Sequence, residues 1–140
     1  IRAEYNQSMQ SRDGLGTGGV NLPVVIAKGY TTQATYLLTG ETKLEAGMVV
    51  PHSDLFTDGA GTNGWGAWEI KLRYDNLQIH DSAATSNRAD TFNFGINWYF
   101  NRYMKYMVDI GVERFKDPLR SPKPGDSNFF VWMNRIVVVF

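Results

Sequence analysis

Three consecutive segments of the chain alternate between apolar residues and mainly polar ones. The first is WEIKLRYDN, and DTFNFGINWYF and YMKYMVDIGVE repeat its pattern. Alternate positions of a strand form two sets, each of which we call a parity. In the first segment one parity is wholly apolar (Trp68, Ile70, Leu72 and Tyr74) and the other is wholly charged (Glu69, Lys71, Arg73 and Asp75). A period of two is typical of a β-strand with two chemically different faces. We therefore predict an all-β chain with essentially no helix.

Three further segments share this alternation, near residues 1–9, 30–38 and 130–140. The count of six strands gives lengths near the roughly 9 to 11 residues that cross a bilayer as tilted β-structure. The predicted connections are rich in turn-forming residues and cover 11–23, 40–64, 80–90, 101–102 and 116–127. Within the long connection, residues 41–64 could hold a short extra strand or one helical turn.

Alternation alone fits both a soluble antiparallel sheet and a transmembrane barrel. Two features favour the barrel. Trp98, Tyr99, Phe100 and Tyr103 gather around the two-residue turn, as in the aromatic girdles at bilayer interfaces, and charged residues run through the centre of a strand, as a wet lumen wall requires. The longest apolar runs are VVIA and IVVVF, far below the roughly 18 to 20 residues of a membrane-spanning helix.

Composition excludes several functions. The 14 Lys and Arg residues balance 14 Asp and Glu residues, so no nucleic-acid partner is indicated, and the chain has no Cys. Its two His residues show no metal-ligand spacing. His52-Ser53-Asp54 and His80-Asp81-Ser82 are adjacent triplets, and a catalytic relay is assembled from separated positions. GLGTGG is followed by VNLPVV and does not open a helix. We predict no enzyme, no metal and no cofactor.

Several stretches together resemble the phosphate-selective porin O/P family: GYTTQATYLLTGET, WGAWEIKLRYDNLQI, FNFGINWYFNRYMKYMVDI and the final NRIVVVF. The resemblance implies a transmembrane antiparallel β-barrel of sixteen strands, usually a homotrimer, in the bacterial outer membrane. Residues 1–140 would be the C-terminal part of one barrel domain, with the remaining strands upstream of residue 1. Its function would be passive diffusion of small hydrophilic solutes, with a preference for anions such as phosphate.

The end of the chain fits the same resemblance. Phe140, with Val138 and Ile136 at two-residue steps, looks like the signal that the barrel-assembly machinery recognises in outer-membrane proteins. A periplasmic C-terminus would place the turn at 101–102 and the connection 40–64 in the periplasm, and 80–90 and 116–127 outside. The length of 40–64 departs from the short periplasmic turns of such barrels. The expected partners are small anions or other hydrophilic solutes, outer-membrane lipid and the assembly machinery.

The polar parity supplies the candidate lumen residues. It contains five cations and five carboxylates: Arg2, Lys71, Arg73, Lys105 and Arg135 against Glu4, Glu69, Asp75, Asp109 and Glu113. This balance favours charge pairs that hydrate the lumen and brace its wall. Arg73 and Arg135 match family positions and are the preferred candidates for anion contact. The alternative function is a non-conducting barrel that docks another envelope component through its outer loops or through 41–64.

Overall fold

The computed structural model describes residues 1–44, 49–56, 64–81 and 86–139. Six β-strands form one sheet in which each strand pairs with its neighbour in sequence, in the order β1 to β6. The strands are β1 Arg2–Arg12, β2 Leu22–Leu37, β3 Ala67–Asp81, β4 Ser86–Tyr99, β5 Met104–Phe115 and β6 Asn128–Val138. The all-β class and the count of six antiparallel strands are confirmed.

Helical structure in the described residues is limited to two three-residue 3-10 turns, Thr17–Gly19 and Pro118–Arg120. The first lies within GLGTGG, which therefore opens no α-helix. Asp117 accepts a hydrogen bond from the backbone N–H of Leu119 at 3.1 Å and caps the second turn. Across the described ranges, no helix is long and apolar enough to cross a membrane.

The predicted loop at 80–90 is wrong for most of its length. β3 continues to Asp81, and β4 already begins at Ser86. Polar side chains support this extension: the Asn76 amide donates to Asp90 Oδ1 at 2.6 Å, and Arg88 Nε donates to Asp90 Oδ2 at 2.8 Å. The contact of Asn76 with Asp90 joins β3 to β4, and such cross-strand pairs stabilise a hairpin whose composition is typical of a loop. Arg88 and Asp90 lie two residues apart on β4. β2 likewise begins earlier than predicted, at Leu22.

Two compact units divide the chain. The first contains Ile1–Gln33, Arg73–Phe92 and Val112–Phe130. Within it β1 pairs with β2 from Arg2 opposite Gln33 to Arg12 opposite Leu22, with a register shift between Gln10 and Arg12. The Tyr74 ring packs against the Phe92 ring with centroids 4.5 Å apart, and its hydroxyl donates to Asp90 at 2.6 Å.

The second unit contains Ala34–Leu72, Asn93–Gly111 and Val131–Phe140. Its burial is the inverse of that of a soluble sheet. Glu69 and Asn97 on the polar parity are buried, whereas large apolar side chains on the other parity are exposed, among them Leu72, Phe94, Ile110, Trp132 and Ile136. The small apolar core of the described residues is Val49, Ala67 and Tyr99, with Leu37 packed against it.

The described residues 39–44 and 49–56, which we call the docked segment, lie against this polar parity. Val49 is 1% exposed and packs with Ala67 and Tyr99. The sequence allows a short extra strand in 41–64. The described residues there contain one isolated antiparallel bridge, between Lys43 and Val49. The backbone of the docked segment joins the sheet through the bond from Leu55 N to Phe100 O, 2.8 Å long.

Candidate functional site

In the first unit, two of the predicted lumen cations already have carboxylate partners. Arg2 pairs with Glu4, two residues along β1. Arg73 binds Asp75 through two guanidinium nitrogens, Nε to Oδ2 at 2.8 Å and Nη2 to Oδ1 at 2.8 Å. Arg2, Glu4 and Arg73 border a shallow cavity of about 110 Å³ that Thr31 and Gln33 complete. The positive charges of this cavity are therefore largely balanced.

In the second unit, the predicted lumen residue Lys71 is also paired. Its Nζ lies 2.7 Å from Oδ1 of Asp109. The pair passes directly over Gly95, where an added Cβ would stand 2.2 Å from Lys71 Cε and 2.3 Å from Asp109 Oδ1. Glycine at 95 therefore makes room for this cross-strand ion pair.

Lys105 and Arg135 differ from the other three predicted cations. Within the described ranges, neither side chain makes an ion pair with a carboxylate. The ammonium of Lys105 lies over the Tyr99 ring, 5.3 Å from its centroid, which is a cation–π contact. Lys43, Lys71 and Arg135 act on Lys105 electrostatically, as does Glu69. The second unit thus holds four cations close enough to interact, and two of them lack a carboxylate partner.

Glu69 is a further residue of this site. From the sequence it was only one of the five carboxylates that balance the predicted lumen cations. Its side chain is 0% exposed. Oε1 accepts from Lys43 Nζ at 2.5 Å, and Oε2 accepts from Asn97 Nδ2 and from Tyr99 OH, both at 2.7 Å. Lys43 belongs to the docked segment, 26 residues earlier in the chain. Strand periodicity gives no sign of a partner that arrives from a connection.

Glu41 links the two described parts of the docked segment, 39–44 and 49–56. Its side chain accepts hydrogen bonds from the Thr39 hydroxyl and from the His52 backbone N–H, the latter 3.3 Å long. Burial raises the pKa of Glu41, but the hydrogen bonds from Thr39, from its own backbone and from His52, with the charge of His52, outweigh it, and the pKa lies below its ordinary value of 4.5. Glu41 is therefore ionised at neutral pH.

Aromatic side chains meet where β3 begins and β4 ends. The Trp68 and Trp98 rings stack with centroids 4.8 Å apart, and both indole N–H groups donate to the carbonyl of Trp65, at 3.2 Å and 2.8 Å. Phe100 packs edge-on against Trp98 at 4.6 Å. Tyr99 does not join them: it is 3% exposed and points to Glu69. Its assignment to the predicted aromatic cluster is wrong, because adjacent residues of a strand point to opposite faces.

Comparison with known proteins identifies the family. Residues 3–121 match the profile of the family described as Phosphate-selective porin O and P. The chain belongs to this family. It is 32% identical over 129 residues to Porin O of Pseudomonas aeruginosa, an alignment that covers 81% of the chain and 27% of that protein. The chain therefore spans about a quarter of the length of this curated relative. No solved structure shows significant similarity to the chain.

Membership in a porin family confirms three predictions. The recognised resemblance is correct, the family is one of porins and not of enzymes, and the location is the bacterial outer membrane. Large apolar side chains exposed on one parity are typical of the strands of outer-membrane barrels. Exposure is high along β6, with Phe130 at 72% and Trp132 at 66%.

The predicted assembly signal of the porin can be followed in part. Ile136 and Val138 are exposed on the same parity of β6 as Trp132. The backbone N–H of Val139 donates to the carbonyl of Tyr103 at 2.9 Å, which ties this end of the chain to the start of β5. Phe140 lies outside the described residues. Recognition of these residues by the assembly machinery stays a prediction.

Proposed function

We propose that this chain forms part of the wall of an outer-membrane diffusion pore that favours small anions, phosphate among them. The observation that supports it most is the inverted burial of the second unit. Charged and amide side chains occupy the covered parity, and large apolar side chains occupy the exposed parity. A wall between lipid and a water-filled pore requires that arrangement, and a soluble sheet requires the opposite.

Anion preference is supported by the pairing of the charges. Glu69 is neutralised by Lys43, and Asp109 is neutralised by Lys71. Lys105 and Arg135 then provide net positive charge on the polar parity, with Lys105 half-buried and Arg135 exposed. Selectivity in a diffusion pore depends on the sign of the charge along its lining. We therefore assign Lys105 and Arg135 to contact with the permeating anion.

Arg2, Arg73 and Lys71 have a different role in this proposal. Each is held by a carboxylate of the same unit, so these pairs brace and hydrate the wall more than they attract anions. Arg73, which the family resemblance favours as an anion contact, is poorly suited by this criterion, because its guanidinium binds Asp75 through two nitrogens.

The complete barrel is also part of the proposal. Six strands leave β1 and β6 at the two edges of the sheet, and an open edge in lipid leaves backbone groups unsatisfied at a cost of several kcal/mol each. The chain matches 27% of the length of Porin O. Residues 1–140 would thus form the C-terminal part of one sixteen-stranded barrel domain. Trimer formation, lipid contact and recognition by the assembly machinery belong to this proposal too.

The test is the conductance of the full-length protein reconstituted in a planar bilayer. Stepwise currents are expected, with a reversal potential in a KCl gradient that indicates anion preference, and with persistent current in potassium phosphate. A folded, correctly inserted protein that gives no current would overturn the proposal. Cation preference would overturn its anion part alone. No finding favours the alternative of a non-conducting scaffold that docks an envelope component.

A further inference from the structure

The docked segment is tied to the polar parity of the second unit by one ion pair, between Lys43 and Glu69. The distance from Lys43 Nζ to Glu69 Oε1 is 2.5 Å. The lysine is 37% exposed at its side chain, whereas the carboxylate has no exposure at all. The two residues belong to different parts of the unit, a connection and a strand, so the pair joins elements that strand pairing does not hold together.

Burial makes Glu69 depend on this partner. A carboxylate removed from water is costly unless a cation and further hydrogen bonds compensate it. Asn97 and Tyr99 supply two neutral donors to Oε2. Among the described residues, Lys43 is the cation that reaches the carboxylate. Removing either charge therefore leaves the other without compensation, and the docked segment is the element that can move.

Other contacts hold the docked segment on either side of Lys43: Trp68 N–H donates to Thr39 Oγ1 at 3.1 Å, and Gly66 N–H donates to Ser53 O at 3.1 Å. Val49 packs against Ala67 and Tyr99, and the backbone bond from Leu55 N to Phe100 O lies further along. The side chains of Leu44 and Val50 are both exposed. In the described part of the segment close to Lys43, Val49 thus supplies the buried apolar contact with the strands, and the ion pair of Lys43 supplies the charged one.

We propose that Glu69 is a positioning residue that anchors the docked segment against the pore wall and withdraws the charge of Lys43 from the permeating ion. The proposal rests on the proposed function for its effect on current, but the anchoring itself can be measured without current. In the full-length porin, loss of the Glu69 charge detaches Lys43 and Val49 from the wall and leaves Lys43 free to face the pore.

Accessibility of position 49 tests the anchor. Val49→Cys is introduced into an otherwise cysteine-free full-length background, and the reaction of its thiol with a charged methanethiosulfonate reagent is timed in the folded protein. Because Val49 is almost fully buried, this labelling is expected to be slow with Glu69 intact. Adding Glu69→Gln is expected to accelerate it on the order of tenfold or more, since one partner of a buried pair is lost.

Two matched variants separate anchoring from general loss of structure. Asp109→Asn removes a carboxylate from the same unit that pairs with Lys71 and not with the docked segment, so the labelling rate at position 49 should stay at its starting value. Glu69→Asp keeps the charge and should restore most of the protection. Equal labelling rates in the Glu69→Gln and Asp109→Asn backgrounds would overturn the proposal.

A second route covers failure of Glu69→Gln to fold. Lys43→Gln leaves the strand sequence intact and breaks the same pair, so it should expose the thiol at position 49 to a similar degree; protection retained in this variant would also overturn the anchor. Current recordings of the same proteins keep the two proposals apart. A parent that carries no current refutes the pore assignment, yet accelerated labelling in Glu69→Gln would still support the anchor.

Discussion

The hydroxyl of Tyr99 donates a 2.7 Å hydrogen bond to Oε2 of Glu69, and both side chains are almost wholly buried. Its neighbours Trp98 and Phe100 point to the opposite face and pack together. Tyr99 therefore belongs to the polar network of the wall and not to the aromatic cluster beside it. A hydrogen bond to a charged acceptor typically contributes about 1.5–3 kcal/mol.

Tyr99→Phe should consequently lower the free energy of unfolding of the full-length protein by about 1–3 kcal/mol, because it removes one of the three donors of Glu69. The measurement is urea unfolding in lipid vesicles, followed by Trp fluorescence. Tyr103→Phe is the control, since Tyr103 is more than half exposed and retains its ring beneath Arg102. Equal unfolding midpoints for the two variants would show that the Tyr99 hydroxyl contributes nothing.

Gly66 and Gly40 form a second matched comparison, since both have positive φ, +67° and +86°. At Gly66 an added Cβ would stand 2.2 Å from the carbonyl oxygen of Tyr99, whereas nothing lies within 4 Å of one at Gly40. Gly40→Ala should cost about 1–2 kcal/mol, the left-handed backbone penalty alone. Gly66→Ala adds a collision with backbone and should reduce the yield of folded protein further.

Folded yield is read from the shift in gel mobility that unheated outer-membrane barrels show. If Gly66→Ala folds as well as Gly40→Ala, the close approach of residue 66 to Tyr99 is not a feature of the assembled protein.

The strands were predictable because alternation reports side-chain direction wherever one face is apolar. The pattern in WEIKLRYDN located β3, and the same logic located β4 and β5. The alternation fails beyond Tyr74. Asn76 lies on the parity that is apolar up to Tyr74 and is buried, whereas Leu77 lies on the other parity and is exposed. The hairpin there is held by the contacts of Asp90 with Asn76 and Arg88. Neither the cross-strand contact of Asn76 with Asp90 nor the contact of Arg88 with Asp90 along β4 leaves a periodic signal.

The candidate site was predictable in its residue types but not in its pairing. Alternation placed Lys71 and Asp109 on one parity, but they lie on β3 and β5 with β4 between them. Their pair depends on the room that Gly95 leaves on β4, which alternation does not report. Lys43 lies in a connection without periodicity, so its bond to Glu69 could not be foreseen. The separation of Lys105 from the paired cations depends on that bond, because Lys43 pairs with Glu69, the carboxylate that acts electrostatically on Lys105.

Acid should loosen the docked segment through Glu41. The pKa of Glu41 is lower in the folded protein than its ordinary 4.5, so its ionised form is preferentially bound by Thr39 and His52. That contribution is complete above pH 4.5 and is lost as the pH falls through the lower folded-state pKa. The labelling rate of the Val49→Cys protein, corrected for thiolate content, should therefore rise below pH 4.5. Glu41→Gln should remove this pH dependence, and an unchanged pH profile in that variant would contradict the assignment.

Lys105 and Arg135 should determine the charge selectivity of the pore. A unit positive charge about 6 Å from the ion path stabilises an anion by ~0.7 kcal/mol in water and destabilises a cation by the same amount, a difference of ~1.4 kcal/mol. Lys105→Gln or Arg135→Gln should therefore each lower the anion-to-cation permeability ratio roughly tenfold. The ratio is obtained from the reversal potential of the full-length protein in a KCl gradient.

Lys123→Gln is the control, because Lys123 is exposed, lies between β5 and β6 and pairs with Asp126. It should leave the ratio unchanged. If Lys105→Gln and Arg135→Gln do the same, neither cation borders the ion path, and the selectivity of this porin is set elsewhere.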